Sequence, residues 1–211
     1  MMNPNTFSWE LFHKAPIVGI LRNITIEDLP MLLQIYSEVG LTTLEITMNT
    51  PGAEEMIAYA VANAPEGLNI GAGTVCTDRE LKSALEAGAQ FIVTPVVSAK
   101  IIKKCVKKSI PIFPGAYTPT EIYKAWSLGA PMIKVFPATA LGPTFIRDIK
   151  GPFQDIKLIP TGGVSLENFI EFKNAGADGY GLASLLFDKK MIANKDWPAL
   201  KVHLGKFVAL L

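Results

Sequence analysis

The sequence has few of the residues that build disulfide frameworks and metal centres. It contains 2 cysteines and 2 histidines among 211 residues. Cys76 and Cys105 form no CxxC pair, which suits a reducing compartment, and we expect both to be packing residues. Cys76 lies close to the end of a predicted strand, so contact with a site is the alternative for it. His13 and His203 lie near opposite ends of the chain, and no group of residues has metal-ligand spacing. The sequence therefore predicts no metal site.

An excess of charge of one sign is also absent, as are long apolar runs. The chain has 20 basic and 19 acidic residues, which leaves no electrostatic footprint for nucleic acid or an anionic membrane. No run approaches the roughly 18 apolar residues that a membrane span requires. The segment from Met1 to Lys14 lacks the basic and apolar regions of a secretion signal. We expect a cytoplasmic protein with small-molecule partners, and neither nucleic acid nor membrane as a partner.

The sequence does contain a series of short apolar or β-branched runs, spaced by about 20 to 26 residues, as strands followed by crossover helices require. Its hydrophobic content of 49% can bury one core. We predict an α/β fold, a single-domain (β/α)8 TIM barrel. An open doubly wound sheet is the alternative, but no G-x-G-x-x-G follows the first run. The predicted strands are Ile17 to Leu21, Thr43 to Met48, Asn69 to Val75, Phe91 to Pro95, Pro111 to Ala116, Met132 to Pro137, Lys157 to Gly162 and Gly179 to Ser184.

The segments between these runs have recognisable helix signals. Capping hydroxyls followed by acidic residues predict helix starts at Thr25, Thr77, Thr118 and Ser165. Glycines at the ends of helical patterns predict left-handed C-caps at Gly88, Gly129 and Gly176. We divide the one domain, residues 1–211, into an extra N-terminal helix that covers the lower end of the barrel, the barrel itself and a C-terminal helical segment, at 1–15, 16–187 and 188–211.

One charged residue interrupts the sixth run. Lys134 lies within Pro131 to Pro137, which otherwise has the pattern of a strand buried on both faces. Lysine is rarely buried without a partner, and lowering its pKa from about 10.4 to near neutral costs roughly 4 kcal/mol. A neutral amine at a barrel mouth can form an imine with a carbonyl substrate. The alternative is a structural lysine that is paired with a buried carboxylate or extends to the rim.

The second run carries a carboxylate on its polar face. Thr43, Glu45, Thr47 and Asn49 share one face by the period of two, and we expect this face to point inward. Glu45 would then lie in the same interior as Lys134. A carboxylate and a lysine in one dry cavity can act as proton shuttle and nucleophile. A buried ion pair that only holds the core is the alternative.

Further candidate residues lie where the strands end. Thr74 follows Gly-Ala-Gly, where a ligand can approach the backbone, although a tight turn explains the same pattern. Glycine-bearing segments end strands seven and eight, where phosphate sites of such barrels often form. Arg22 closes the first strand and can bind a carboxylate or phosphate, or form a salt bridge at the rim.

Five motifs occur in order along these strands, between about Pro16 and Ser184. They are Leu44 to Thr47, Gly71 to Val75, Ile133 to Pro137, Pro160 to Val164, and Ser184. As a set, they resemble the 2-keto-3-deoxy-6-phosphogluconate (KDPG) aldolase family, which includes 4-hydroxy-2-oxoglutarate (KHG) and 2-keto-3-deoxy-6-phosphogalactonate (KDPGal) aldolases.

The resemblance implies a role for each site residue. Lys134 would be the Schiff-base lysine and Glu45 the general acid/base. Thr74 would contact the pyruvate carboxylate, and Thr161 would contact the substrate and influence stereoselectivity. Residues lining the pyruvyl pocket would be Pro95 and Phe136, and those holding the phosphate would be Gly162, Gly163 and Ser184. The resemblance also implies a homotrimer and no metal or organic cofactor.

The chain departs from the family pattern at Asn49, where many phosphogluconate members have an arginine that helps to bind the pyruvate carboxylate. Arg22, an arginine in some relatives, could supply this charge from the facing first strand and act as a substrate-binding residue together with Asn49. With an asparagine at this position, the chain also resembles the phosphogalactonate branch of the family. The epimer of the sugar acid therefore stays open.

The leading hypothesis is a class I aldolase that cleaves KDPG, or a close 2-keto-3-deoxy acid, to pyruvate and glyceraldehyde 3-phosphate in the Entner-Doudoroff pathway. A KDPGal aldolase is the first alternative. The others are a phosphosugar epimerase or isomerase with Glu45 as base, and a non-catalytic barrel that binds a phosphometabolite.

Overall fold

Eight parallel strands form the wall of a barrel in the computed structural model, which describes residues 6–211. The strands are β1 (Ile17–Leu21), β2 (Thr43–Thr47), β3 (Asn69–Gly73), β4 (Ile92–Thr94), β5 (Ile112–Ala116), β6 (Ile133–Val135), β7 (Leu158–Pro160) and β8 (Tyr180–Leu182). Each strand pairs with the next along the chain from β1 to β7, and β8 returns to pair with β1. A bridge between Thr161 and Gly181 joins β7 to β8 and closes the ring. The predicted (β/α)8 barrel is confirmed.

Helices alternate with the strands and cover the outside of the barrel. They are α1 (Trp9–Lys14), α2 (Leu29–Glu38), α3 (Ala53–Asn63), α4 (Asp78–Glu86), α5 (Ala99–Lys107), α6 (Pro119–Ser127), α7 (Gly142–Lys150), α8 (Phe169–Asn174), α9 (Lys189–Ala193) and α10 (Trp197–Val208). The predicted extra helix corresponds to α1, and residues 1–5 of that prediction lie outside the described residues. Helices α9 and α10 occupy the segment predicted to be helical at the C-terminus.

Two of the four predicted helix starts are confirmed. Thr77 and Thr118 form capping boxes, in which each hydroxyl accepts from the backbone N–H three residues on. The starts at Thr25 and Ser165 are wrong. Thr25 donates its hydroxyl to Asp28, 3.1 Å away, and α2 begins only after Asp28. Before α8, the Ser165 N–H donates to the side chain of Asn168, so a turn comes before the helix in both segments.

The predicted helix ends are all confirmed. Gly88, Gly129 and Gly176 have φ angles of 92°, 96° and 92°, in the left-handed region that glycine adopts without a Cβ clash. Each follows the last turn of its helix, so the chain can turn back toward the next strand.

Aromatic rings fill the lower half of the barrel interior, at the amino ends of the strands. Phe91 and Phe113 have ring centroids 5.6 Å apart, and Phe7 packs against Phe91 at 5.3 Å. Phe12 of α1 belongs to the same buried cluster, and Trp9 packs against it. The N-terminal segment therefore closes the lower end of the barrel, as predicted, and a separate apolar layer packs the helices onto the outside of the strands.

Candidate active site

Glu45 and Lys134 lie in the same barrel interior, above the aromatic rings. Strand pairing places Glu45 beside Ile20 and Gly71, and Lys134 beside Gly115 and Ile159. Both side chains face one small cavity, whose lining consists of Val18, Ile20, Glu45, Val93, Phe113, Lys134, Ile159, Thr161 and Gly181. The inward orientation predicted for Glu45 is confirmed by this lining.

The interior shifts both ionisable groups toward their neutral forms. Glu45 is 1% exposed and Lys134 is 5% exposed. Burial lowers the pKa of Lys134, an effect that nearby Glu45 opposes and that Arg22 reinforces. Burial likewise raises the pKa of Glu45, against the attraction of Lys134 and Arg22. The arrangement favours a free amine beside a protonated carboxyl group.

The carboxyl group of Glu45 is not held in a close ion pair. Neither of its oxygens has a hydrogen-bond partner among residues 6–211, although both are buried. A buried polar group without a partner costs about 1 to 3 kcal/mol. A pair that served only to hold the core would be expected to form that contact, so the geometry favours a chemical role over a structural one.

The glycines of β3 make room for side chains from neighbouring strands. A Cβ atom at Gly73 would overlap the carboxyl group of Glu45, and one at Gly71 would overlap the ring of Phe91. The Gly-Ala-Gly pattern predicts an open approach for a ligand. In the structure, the space beside both glycines is occupied by Glu45 and Phe91.

A second cavity, of about 170 Å³, opens above Lys134 at the carboxyl ends of the strands. Lys134 and Thr161 line both cavities, so the amine can be reached from the mouth. The predicted site residues that line this mouth are Arg22, Lys134, Phe136, Thr161, Gly162, Gly163 and Ser184. The structure thus brings together residues from β1, β6, β7 and β8 that are far apart in the sequence.

The loop after β7 has a backbone suited to an anion. Gly162 and Gly163 have φ angles of 87° and 79°, both left-handed. Asn168 holds this loop, because its side-chain amide donates to the Gly163 carbonyl and its oxygen accepts from the Ser165 N–H, each at 2.8 Å. Sequence reasoning missed Asn168 as a site residue, since its position before α8 indicated only a helix start.

Phe136 lies beside the amine of Lys134. The Lys134 Nζ atom is 4.9 Å from the centre of the half-buried Phe136 ring. An aromatic face at this distance attracts an ammonium or iminium cation. The ring also narrows the cavity next to the amine.

Three predicted substrate-binding residues lie outside the lining of this mouth. Thr74 follows β3 with a left-handed φ of 57°, which is rare for a β-branched residue and costs on the order of 1 to 3 kcal/mol. Pro95 follows β4, and its carbonyl lies against Gly115, the strand neighbour of Lys134. Asn49 lies in the turn after β2 and is exposed, because the strand ends at Thr47.

Arg22 is an exposed cation at the mouth. It also borders a larger cavity of about 420 Å³, which extends from Ser184 toward α9. The salt bridge at the rim that the sequence left open is not among the ion pairs of residues 6–211. Its charge is therefore available to a ligand.

Three sequence predictions concern features outside the barrel interior. Cys105 is buried, which raises its pKa to about 11, and Cys76 is exposed but does not line the mouth. Within the described part of the chain, no cluster of three or more His, Cys, Asp or Glu residues could hold a metal ion. No helix between residues 6 and 211 has both the length and the apolar character needed to cross a membrane.

The fold and the site together define an enzyme of the (β/α)8 barrel class, with its site at the carboxyl ends of the strands. The chain belongs to the KDPG and KHG aldolase family, whose model matches residues 9–202. Aldolases of this family are carbon-carbon lyases, and the family resemblance inferred from the five motifs is confirmed.

Individual relatives include members of both sugar-acid branches. The chain is 35% identical over 181 residues to a probable 2-dehydro-3-deoxy-6-phosphogalactonate aldolase of Rhizobium meliloti (strain 1021), covering 85% of each chain. It is 33% identical over 192 residues to a 2-dehydro-3-deoxy-phosphogluconate aldolase of Haemophilus influenzae, covering 89% of each.

One solved structure has a covalent ligand. It is the KDPG aldolase of Legionella pneumophila, with pyruvate captured at low pH as a covalent carbinolamine intermediate. The two chains superpose with a TM-score of 0.86 at 26% identity, over 97% of each.

Proposed function

We propose that this protein is a class I aldolase that cleaves KDPG, or a close 2-keto-3-deoxy acid, to pyruvate and glyceraldehyde 3-phosphate, with Lys134 as the Schiff-base lysine. The observation that carries the proposal is the position of Lys134: a buried amine with a lowered pKa that shares its cavity with Glu45 and is open to the mouth. The carbinolamine in the Legionella pneumophila relative is the chemistry expected of such an amine.

Formation of the imine requires a nucleophile and an acid. The neutral Lys134 amine attacks the C2 ketone of the substrate and forms a carbinolamine. Glu45, whose pKa is raised by burial, donates a proton to the departing hydroxyl group, so that water leaves and an iminium ion remains. The iminium ion then acts as an electron sink beside the ring of Phe136.

Bond cleavage returns the proton to Glu45. The Glu45 carboxylate, directly or through a water molecule, takes the proton of the C4 hydroxyl group, the C3–C4 bond breaks, and glyceraldehyde 3-phosphate leaves. The electron pair of that bond becomes the enamine. Glu45 then protonates C3 of the enamine, which restores the iminium ion. Its carboxylate takes a proton from the water that attacks the iminium carbon, so that pyruvate and the free amine are released and Glu45 is protonated again. One carboxyl group therefore serves every proton transfer.

The remaining site residues would hold the two ends of the substrate. The loops after β7 and β8 supply Gly162, Gly163 and Ser184 for the phosphate, and left-handed glycines turn backbone N–H groups toward an anion. Thr161 lines both cavities and would contact the reacting part of the substrate. Arg22 would add a permanent positive charge at the mouth.

The pyruvate end would lie against the strand ends on the other side of Lys134. We assign Thr74 and Asn49 to the carboxylate and Pro95 to the wall of the pyruvyl pocket together with Phe136. Strain at Thr74 and the closeness of Pro95 to the neighbour of Lys134 support this assignment.

KDPGal is the second candidate substrate, because the relative from Rhizobium meliloti is named as a probable aldolase of this sugar acid and matches 85% of the chain. KDPG and KDPGal differ at one hydroxyl group, which hydrogen bonds at the site distinguish. A panel of KDPG, KDPGal and the unphosphorylated 4-hydroxy-2-oxoglutarate, followed by pyruvate release, decides between them. We expect the highest kcat/KM for KDPG. No pyruvate from any of the three would contradict the proposed function.

The same panel tests Asn49. In the Asn49→Arg variant, a new charge near the pyruvate carboxylate should lower KM for all three substrates if this residue contacts the part that they share. An unchanged KM for every substrate would remove Asn49 from the site.

We further propose a cytoplasmic homotrimer that acts in the Entner-Doudoroff pathway, where KDPG is cleaved to these products. Support for assembly comes from exposed aromatic residues on and beside α6: Tyr123 is in ring contact with Trp126 at 5.7 Å, and Tyr117 lies just before the helix. Such patches often mark contact surfaces. Light scattering should give three times the chain mass of 22.9 kDa, whereas the mass of one chain would contradict assembly.

A further inference from the structure

A short chain of hydrogen bonds joins the strand that carries Glu45 to the turn that carries Arg22. The hydroxyl groups of Thr47 and Thr50 are 3.0 Å apart. The backbone N–H of Asn23 donates to the Thr50 hydroxyl, also at 3.0 Å. Thr47 is 0% exposed and Thr50 is 3% exposed, so water does not compete strongly for these bonds. The proposed aldol chemistry assigns no role to Thr50 or Asn23.

The turn after β1 has an unusual backbone. Asn23 has a left-handed φ of 54°, a conformation that asparagine tolerates better than most residues. Its N–H belongs to the peptide group that joins Arg22 to Asn23, so a hydrogen bond to this N–H restrains the backbone at Arg22. The bond from the Asn23 N–H to Thr50 fixes the turn to the far end of β2.

No side-chain partner within residues 6–211 fixes the Arg22 guanidinium group. The side chain is exposed, and no hydrogen bond or ion pair of residues 6–211 involves the guanidinium group. It nevertheless lines the mouth together with Gly162, Gly163 and Ser184. The backbone of the turn, rather than a side-chain partner, therefore decides where this charge lies.

We infer that Thr50 is a positioning residue: its hydroxyl group holds the Asn23 turn so that Arg22 faces the anionic group of the substrate at the mouth. The inference rests on the proposed function for the identity of the substrate. Thr50 touches neither the amine nor the carboxyl group, so its loss should weaken substrate binding and leave the cleavage step intact.

The test compares hydroxyl deletions at the two ends of β2. Thr50→Val keeps the shape of the side chain but cannot accept the Asn23 N–H, whereas Thr50→Ser keeps the acceptor. Thr42→Val is the matched control, because Thr42 is also buried and its hydroxyl donates to the Leu11 carbonyl at 2.6 Å, just before β2 at the lower end. Arg22→Ala is made alone and together with Thr50→Val.

We expect Thr50→Val to raise KM for KDPG by about five- to tenfold, the effect of one lost hydrogen bond, with kcat changed by less than about twofold. Thr50→Ser and Thr42→Val should keep the wild-type KM. In the Arg22→Ala background, Thr50→Val should cause no further rise, because the residue that it positions is already absent. Thr50→Ala, measured in the same way, replaces Thr50→Val if that variant does not fold.

Three results would overturn the inference: a wild-type KM in Thr50→Val, a full additional rise in the double variant, or the same rise in Thr42→Val. Binding of inorganic phosphate to each variant is measured by calorimetry as well. If the wild type cleaves no substrate, the proposed function fails, yet weaker phosphate binding in Thr50→Val alone would still support the positioning role. Equal phosphate affinity in all the variants would refute it.

Discussion

Aromatic rings fill the lower half of the barrel interior, whereas a lysine, a glutamate and a threonine occupy the upper half. In the lower half, the buried ring of Phe113 is in contact with the buried rings of Phe12 and Phe91. In the upper half, the Glu45 oxygens have no partner within residues 6–211 and Lys134 is desolvated. The same strands run through both halves.

This difference separates the source of stability from the source of reactivity. Burial of a large aromatic side chain contributes about 1.5 to 3 kcal/mol, and close packing adds to it. The upper half does the opposite, since burial disfavours the charged forms of both Lys134 and Glu45. The lower half therefore offsets the cost of keeping a neutral amine ready at the upper end, a trade that is common at active sites.

The largest expected effect is at Lys134. Lys134→Met removes the nucleophile and should abolish pyruvate release from KDPG. It should also stabilise the protein at neutral pH. The pKa of Lys134 is lowered in the folded state, so the unfolded chain binds more protons at pH values between the folded pKa and about 10.4. Wild-type stability thus rises with pH across that window. The extra stability of the methionine variant over wild type should therefore shrink as the pH rises.

Urea unfolding of both proteins at pH 7 and at pH 10 measures this advantage. The other titrating groups are common to the two proteins, so the difference between them reports mainly on this position. Residual cleavage by Lys134→Met, or a lower stability of this variant than of wild type at pH 7, would contradict the claim that the upper half supplies reactivity at a cost in stability.

The next effect is at Glu45. Glu45→Gln should lower kcat by about 10²- to 10⁴-fold, the usual contribution of a general acid/base. The wild-type pH profile should be bell-shaped, with apparent pKa values that belong to the Glu45 and Lys134 pair. Glutamine does not titrate, so the Glu45→Gln variant should lose the limb of the profile that reports the Glu45 proton. If kcat falls by less than tenfold and both limbs of the pH profile remain, the proton transfers belong to another group.

A substitution in the lower half should have an effect of similar size in free energy to that of Glu45→Gln, but on stability rather than on catalysis. Phe91→Ala leaves a cavity among the aromatic rings and should reduce the free energy of unfolding by about 3 to 5 kcal/mol. The kcat of the folded fraction should stay within about threefold of wild type, because Phe91 does not line the cavity of Lys134. Denaturant unfolding and a cleavage assay at low temperature measure the two quantities. A loss of activity without a loss of stability would contradict the division.

The smallest effects are expected from alanine substitutions at two glycines of β3. These effects distinguish the two halves of the interior most sharply. Gly71 and Gly73 both have backbone angles that alanine accepts. Alanine at Gly71 would overlap the ring of Phe91 and should cost about 1 to 3 kcal/mol of stability by overpacking. Alanine at Gly73 would displace the Glu45 carboxyl group and should lower kcat by about ten- to a hundredfold. Equal losses of stability and activity in both variants would show that the halves are not separable.

Much of this architecture could be predicted from the sequence, because the strands are marked by local signals. Each of the eight apolar runs contains one strand of the barrel, and the period of two placed Glu45 inside. Capping boxes at Thr77 and Thr118 depend only on neighbouring residues, so they were found. Thr25 and Ser165 failed because the turn that comes before a helix uses the same residue types as a cap.

The features that could not be predicted depend on contacts between distant segments. The Asn23 N–H and the Thr50 hydroxyl are 27 residues apart. The space that Gly73 leaves for Glu45 exists only once β2 and β3 have paired. Asn49 was placed on the inward face by its parity, but β2 ends at Thr47 and a turn carries Asn49 to the surface. Sequence patterns therefore predicted which reactive residues are present better than the contacts that position them.

The central claim is that Lys134 forms an imine with the substrate, and reductive trapping tests it most directly. Wild type is incubated with pyruvate and sodium borohydride, and its peptides are analysed by mass spectrometry. We predict a stable reduced pyruvyl adduct on the peptide that contains Lys134, absent without pyruvate and absent in Lys134→Met. An active enzyme whose Lys134 stays unmodified, or an adduct confined to another lysine, would contradict the account.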